Sequence, residues 1–139
     1  MELHTNLGHL LVVDDDELVR DYLRLRLRDA GYSCTAVANG LEAIDDLRHN
    51  ATPDVVLLDL NMPGLDGLDF LRLAQEHIGH AFGVIVMTGT AGPRLREQVM
   101  RYGAFTMIEK PVDFDKLLRL LRIQRDYLRT RAALRAEGA

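Results

Sequence analysis

Five side chains that could do chemistry together stand just past short apolar runs. Asp14 and Asp15 follow Leu10–Val13, Asp59 follows Val55–Leu58, Thr88 follows Val84–Met87, and Lys110 lies just beyond Phe105–Ile108. If those runs are neighbouring strands, carboxylates, a hydroxyl and an ammonium share one crevice. Carboxylates about 4–6 Å apart raise one another's pKa and coexist only with positive charge among them. Lys110 supplies one charge. A hard divalent cation would supply the rest, and an all-oxygen donor set with few protein ligands suits magnesium, which keeps several waters. The five residues therefore describe an incomplete cation site with a place for an incoming phosphoryl group. Taken singly, an Asp-Asp pair is a turn or helix cap, a Thr is polar punctuation and a Lys-Pro pair is a turn. Their joint position carries the argument.

The elements that must position them alternate. Leu10–Val13 reads as a buried strand, Glu17–Ala30 as a helix with Leu18, Tyr22, Leu25 and Leu27 at helical spacing, and Gly31 as its C-terminal glycine. Tyr32–Val37 is a short second strand. Asn39–Asn50 is a helix with Leu41, Ile44 and Leu47 on one side. Asp54–Asp59 is a third strand, Asn61–Gly67 a loop, Leu68–His77 a helix and Phe82–Met87 a fourth strand. After the turn Gly89–Gly92, Pro93 opens a helix to Tyr102. Phe105–Ile108 is the fifth strand, and Asp113 caps a long last helix. Five strands each followed by a helix predict a parallel sheet covered on both faces, with ligands beyond the C-terminal strand edge.

At 139 residues the chain fits one domain, and 47% hydrophobic with 27% charged residues is ordinary globular composition. A net charge of −4 gives no global pull toward nucleic acid or anionic membrane. No apolar run approaches the ~20 residues of a membrane helix, and Met1–Gly8 lacks a secretory pattern. The lone Cys34 cannot form an internal disulfide and reads as a small core or surface thiol in a reducing cytoplasm.

Val12-Val13-Asp14-Asp15, the stretch Leu57 to Gly67 (LLDLNMPGLDG), Val84 to Gly89 (VIVMTG) and Glu109-Lys110-Pro111 resemble the signature of receiver domains of two-component response regulators, over about Leu10 to Leu121. The resemblance implies a doubly wound five-stranded α/β fold of flavodoxin-like strand order 2-1-3-4-5, here with an extended C-terminal helix. It implies residues 1–8 as a tail, 9–122 as the receiver and 123–139 as a helical extension or linker. It also implies that Asp59 takes a phosphoryl group from a sensor histidine kinase or phosphotransfer protein, or from acetyl phosphate. Asp15, Asp59 and the Asn61 backbone carbonyl would hold Mg2+, with Asp14 acting mainly through water. Lys110 and Thr88 would contact the phosphoryl oxygens, and Lys110-Pro111 would be cis. Receivers couple Thr88 to an aromatic three residues before the lysine; Met107 stands there instead, and a thioether has no hydroxyl and several accessible rotamers. Asn61 and Thr90 occupy positions that tune dephosphorylation, and neither is an acid or base. Phe105–Pro111 resembles nitrogen-regulation and nitrogen-fixation regulators.

Two other classes compete. A haloacid-dehalogenase-type hydrolase wants a second Asp two residues past the nucleophile, where Asn61 stands. A pseudo-receiver, binding partners without phosphorylation, usually lacks carboxylates that are all present here. His77 and His80, split by Gly79, read as a frayed helix end rather than a metal site, and Asp66 as a helix cap. In the tail, Leu120, Ile123, Tyr127, Thr130 and Leu134 step by three and four among arginines. That helix either covers its own sheet and frays, pairs with a second copy, or leads to an effector domain. A homodimer through the fourth helix, fifth strand and fifth helix is the other candidate. Contact with nucleic acid would fall to an output domain absent from this sequence.

Overall fold

The computed structural model describes residues 6–61, 67–77, 82–90 and 92–138. Within them the chain alternates β1 (His9–Val13), α1 (Glu17–Asp29), β2 (Ser33–Val37), α2 (Gly40–His49), β3 (Val55–Asp59), α3 (Gly67–His77), β4 (Gly83–Thr88), α4 (Pro93–Arg101), β5 (Thr106–Glu109) and α5 (Phe114–Glu137). The strands are all parallel, in the order β2-β1-β3-β4-β5. The expected doubly wound sheet is present, and element ends differ from the sequence reading mostly by a residue or two.

Side-chain alternation divides the core between the two sheet faces. Leu11, Val13, Val56, Leu58, Val86 and Met107 face Ala43, Leu47, Phe70, Leu71 and Val99 of α2, α3 and α4. Leu10, Val12, Leu57, Ile85, Met87 and Ile108 face Leu23 and Leu27 of α1 and Leu117 and Leu121 of α5. Every residue of β3 and β4 is buried, as central parallel strands require.

Local sequence fixes the joints. Asp16 caps α1 by accepting from the Leu18 and Val19 amides, and Asp113 caps α5 by accepting from Lys116. Gly31 follows α1 at φ 104°, the left-handed conformation its sequence position predicts. Pro93 begins α4.

Two helices present a different face from the one expected. In α1 the buried residues are Leu23 and Leu27, with Val19 packed beside them. Leu18, Tyr22 and Leu25 are 80%, 46% and 60% exposed. Leu41 of α2 is likewise exposed, and Ala43 with Leu47 is buried in its place. Both helices carry two apolar stripes at compatible spacing, and only one can meet the sheet. Cys34 is buried, and burial raises its thiol pKa to about 11, the pattern of an inert core thiol.

Candidate functional site

Strand register brings the chemistry-bearing residues to one edge. Val13 pairs with Leu58, Asp59 with Met87 and Thr88 with Glu109, so the residues that follow lie side by side. The Lys110 amide donates to the Thr88 carbonyl at 2.8 Å, which carries β5 past its last ladder residue to the same edge. The Lys110–Pro111 peptide is cis, as the resemblance implied.

Asp14 is fully buried, Asp59 nearly so, and Asp15 exposed at the mouth. Carboxylate oxygens of all three lie within 4.8 Å of one another. The Lys110 ammonium stands 2.8 Å from Asp14 Oδ2 and 3.5 Å from Asp59 Oδ2, bridging the two buried acids. Their other oxygens accept backbone amides: Asp14 Oδ1 from Asp16 at 2.9 Å, and Asp59 Oδ1 from Asn61 at 3.1 Å. Asn61 itself is exposed beside Asp59. Arg20 donates to the Asp14 carbonyl at 2.7 Å and so ties α1 to the site.

Burial pushes the Asp59 carboxyl above the ordinary carboxylate range; the Asn61 amide pulls it down, the Asp14 charge raises it and Lys110 lowers it. Lys110 is itself pulled down by burial, but its hydrogen bond to Asp14 and the charges of Asp14 and Asp59 outweigh this and raise it. The crevice therefore holds two buried acids against one ammonium, an excess of negative charge that a cation or a proton would relieve.

Thr88 is fully buried, and its hydroxyl donates to the Thr90 carbonyl at 2.9 Å while accepting the Thr90 amide at 3.2 Å. Met107 sits in the core under α4, opposite Val86, with Val99 and Ala104 in the same cluster. Gly67 is dictated by proximity: a Cβ there would come 2.6 Å from Leu60 Cα and 2.8 Å from the Asp59 carbonyl. Only glycine lets α3 begin against the end of β3. Residues 62–66 of the expected loop, Asp66 among them, and His80 lie outside the described residues, as does the His77 side chain.

A sequence profile of the response regulator receiver domain matches residues 10–122. The chain belongs to the response regulator receiver family. It is 38% identical over 115 residues to the DNA-binding transcriptional regulator NtrC of Escherichia coli K12, covering 82% of this chain and 24% of that protein. It is 32% identical over 117 residues to the transcriptional regulatory protein FixJ of Bradyrhizobium diazoefficiens, covering 84% of this chain and 56% of the relative. The receiver thus spans about a quarter of the first of these relatives and about half of the second. Among solved structures, a response regulator receiver protein from Pseudomonas putida superposes with a TM-score of 0.78 at 29% identity, over 88% of this chain and 98% of the other. A CheY-like receiver from Methanospirillum hungatei gives a TM-score of 0.84 at 25% identity, covering 91% and 99%.

The structure of this receiver adds a feature that the sequence reading missed. A cavity of about 540 Å³, lined by Val19, Tyr22, Leu23, Lys110, Pro111 and Val112, opens between α1 and the loop that leads from β5 to α5, with Lys110 as one wall. The exposed Leu18, Tyr22 and Leu25 lie on the same helix, and Arg26 stacks over the Tyr22 and Phe114 rings at 5.5 and 4.4 Å. The available signal was the i, i+4, i+7 spacing of 18, 22 and 25 beside a second stripe at 19, 23 and 27.

Proposed function

We propose that this receiver accepts a phosphoryl group on Asp59 from the phosphohistidine of a sensor histidine kinase or phosphotransfer protein, and relays the change to an output or partner. The observation that carries the reading is the Lys110 ammonium held between Asp14 and Asp59, with Asp15 at the mouth. An Asp59 oxygen forms the new O–P bond, the N–P bond of the donor breaks, and the imidazole nitrogen keeps its electron pair. Such transfers depend mainly on in-line positioning and charge neutralisation at the equatorial oxygens. The Lys110 ammonium, 3.5 Å from Asp59 Oδ2, supports that role.

The donor set suits magnesium: only oxygens, three carboxylates within 4.8 Å and one ammonium too few to neutralise them. Asp14, Asp15, Asp59 and the Asn61 carbonyl would hold it, and when bound it supplies the missing positive charge beside the phosphoryl oxygens. Thr88 would exchange its Thr90 partner for a phosphoryl oxygen. Met107, packed in the core beneath α4, would repack in response and alter the α4–β5 face. The apolar groove beside Lys110 suits helices that present the donor histidine.

In this reading residues 9–122 form a cytoplasmic receiver, 1–8 a tail and 123–139 a helical extension. Any action on DNA, as in the name of the NtrC relative, falls to an output region or partner. The test is intact mass after incubation with acetyl phosphate and Mg2+. Wild type should gain one phosphoryl group and Asp59→Ala none. Failure of the wild type to gain mass from that donor and from a histidine kinase would point instead to an interaction module that works unphosphorylated.

A further inference from the structure

The sheet edge opposite the acidic crevice holds a second cavity. β1, β2 and β3 begin there at His9, Ser33 and Val55, and α5 runs on to Glu137 past its last buried residue, Gln124. Between the strand starts and the helix opens a space of about 460 Å³, within the size range of small-molecule sites. Leu10, Val55, Leu121 and Leu128 supply apolar wall, while Tyr32, Asp54, Arg125 and Arg129 supply polar groups. Arg125 and Arg129 stand one turn apart on α5.

Charge in this cavity is unbalanced. Two guanidiniums share the space with one carboxylate, and Asp54 Oδ2 is already taken by the His9 amide at 2.8 Å. Among the described residues neither guanidinium forms an ion pair or a hydrogen bond, and Arg125 Nε is buried with no acceptor. A buried donor left unmatched on a charged group is costly. The Tyr32 hydroxyl also lacks a hydrogen-bond partner among the described residues. Burial pushes its pKa up, against the Arg125 and Arg122 charges that pull it down, so it remains a donor at neutral pH. Donors without acceptors beside an apolar wall fit an anion joined to an apolar body. Planar guanidiniums grip carboxylate or phosphate oxygens in pairs.

We propose that this cavity binds a small organic acid, a carboxylate or phosphate head held by Arg125 and Arg129 with its apolar body against Leu10, Val55 and Leu128. Such a ligand touches both the strand-entry end of the receiver and α5 beyond Leu121. It therefore ties the helical extension to the sheet, and by mass action it stabilises the folded chain in that arrangement.

Octanoate and octyl phosphate, below their micelle concentrations, are the probes, followed in two-dimensional amide spectra of the isotope-labelled full chain. At least one of them should give saturable shifts at Leu10, Tyr32, Val55, Leu128 and Arg129, and the tighter of the two identifies the head group. Octanol lacks the charge and inorganic phosphate lacks the apolar body, so each should bind at least about tenfold more weakly. Arg125→Gln with Arg129→Gln should weaken the acid about tenfold or more with unaltered circular dichroism. Ala132→Trp changes an exposed residue of the cavity wall and should block binding by filling the space, which keeps the test decisive if the paired variant unfolds. No phosphoryl donor enters the assay, so its result is independent of the phosphoacceptor reading. The proposal is overturned by no saturable shift with either acid, by shifts confined to Val19–Leu23 and Lys110–Val112, by octanol binding as tightly as octanoate, or by undiminished binding in both variants.

Discussion

Asp54 and Asp59 flank the same strand, Asp54 just before β3 and Asp59 at its end, and each accepts a backbone amide. Asp54 Oδ2 takes the His9 amide at 2.8 Å, and Asp59 Oδ1 takes that of Asn61 at 3.1 Å. The resemblance ends there. Asp54 is exposed, and the nearby His9 ring is engaged by Ser33 at 2.9 Å. Asp59 is buried with a second buried acid, an acid at the mouth and one ammonium. Residue type and backbone hydrogen bonding are shared; burial and charged company are not. Those two properties separate a strand-opening brace from a candidate acceptor, and altering them at either end tests the distinction.

Removing the ammonium should have the largest effect. Lys110→Ala leaves Asp14 and Asp59 facing each other without a counter-charge. A time course of acetyl phosphate uptake should slow by about 10²–10³, the usual cost of losing one preorganised charge-stabilising donor. Urea unfolding should also show a loss of about 2–4 kcal/mol at neutral pH, since the stranded acids remain buried. The lysine's folded pKa lies above 10.5, so its contribution is complete below pH 10.5 and fades as pH rises through the folded value. Uptake by Lys110→Ala within tenfold of wild type would remove the lysine from the proposed chemistry.

The sheet and the acidic edge were legible because apolar runs end abruptly at polar residues, and a parallel sheet has one edge where such ends meet. The outward faces were less legible. Along α1, positions 18, 22 and 25 satisfy helical spacing as well as 19, 23 and 27 do, and spacing alone does not say which stripe the sheet covers. The same ambiguity exposed Leu41 and buried Ala43 in α2. What decides is the handoff angle from Asp14 through the Asp16 cap, a three-dimensional quantity. Lys110 was placed at the right edge by sequence, but its bridging of two acids depends on how β5 meets β4, through the contact between the Lys110 amide and the Thr88 carbonyl. Met107 was recognisable as a departure; its full enclosure among Val86, Val99 and Ala104 follows from tertiary packing.

A smaller effect, of opposite sign, is expected from Asp59→Asn. Burial and the Asp14 charge raise the Asp59 pKa above its ordinary 3.8, against the Asn61 and Lys110 contributions. The folded state therefore holds a proton that the unfolded chain has already released, and wild-type stability falls as pH rises from 3.8 through the folded value. Asn removes that penalty. Its melting temperature should exceed that of wild type at neutral pH. The gap should close below pH 3.8, and Mg2+ should narrow it at pH 7 by stabilising wild type alone. A gap independent of both pH and Mg2+ would mean that charge is not what burdens Asp59.

The smallest effect belongs to Asp54, where the order of the substitutions should reverse. This carboxylate is solvated, so its charge costs the fold little; its use is as an acceptor for the His9 amide at the start of β1. An Asn side-chain oxygen can still accept that bond, so Asp54→Asn should stay within about 0.3 kcal/mol of wild type. Asp54→Ala loses the acceptor and should cost about 0.5–1 kcal/mol, the usual net value of one such hydrogen bond. Both variants should take up phosphoryl groups at the wild-type rate, because the Asp54 end of β3 lies a full strand length from Asp59. Urea midpoints of the pair decide the matter. Equal losses in Asn and Ala would show that charge matters at this end too, and the contrast between the two ends of β3 would then rest on burial alone.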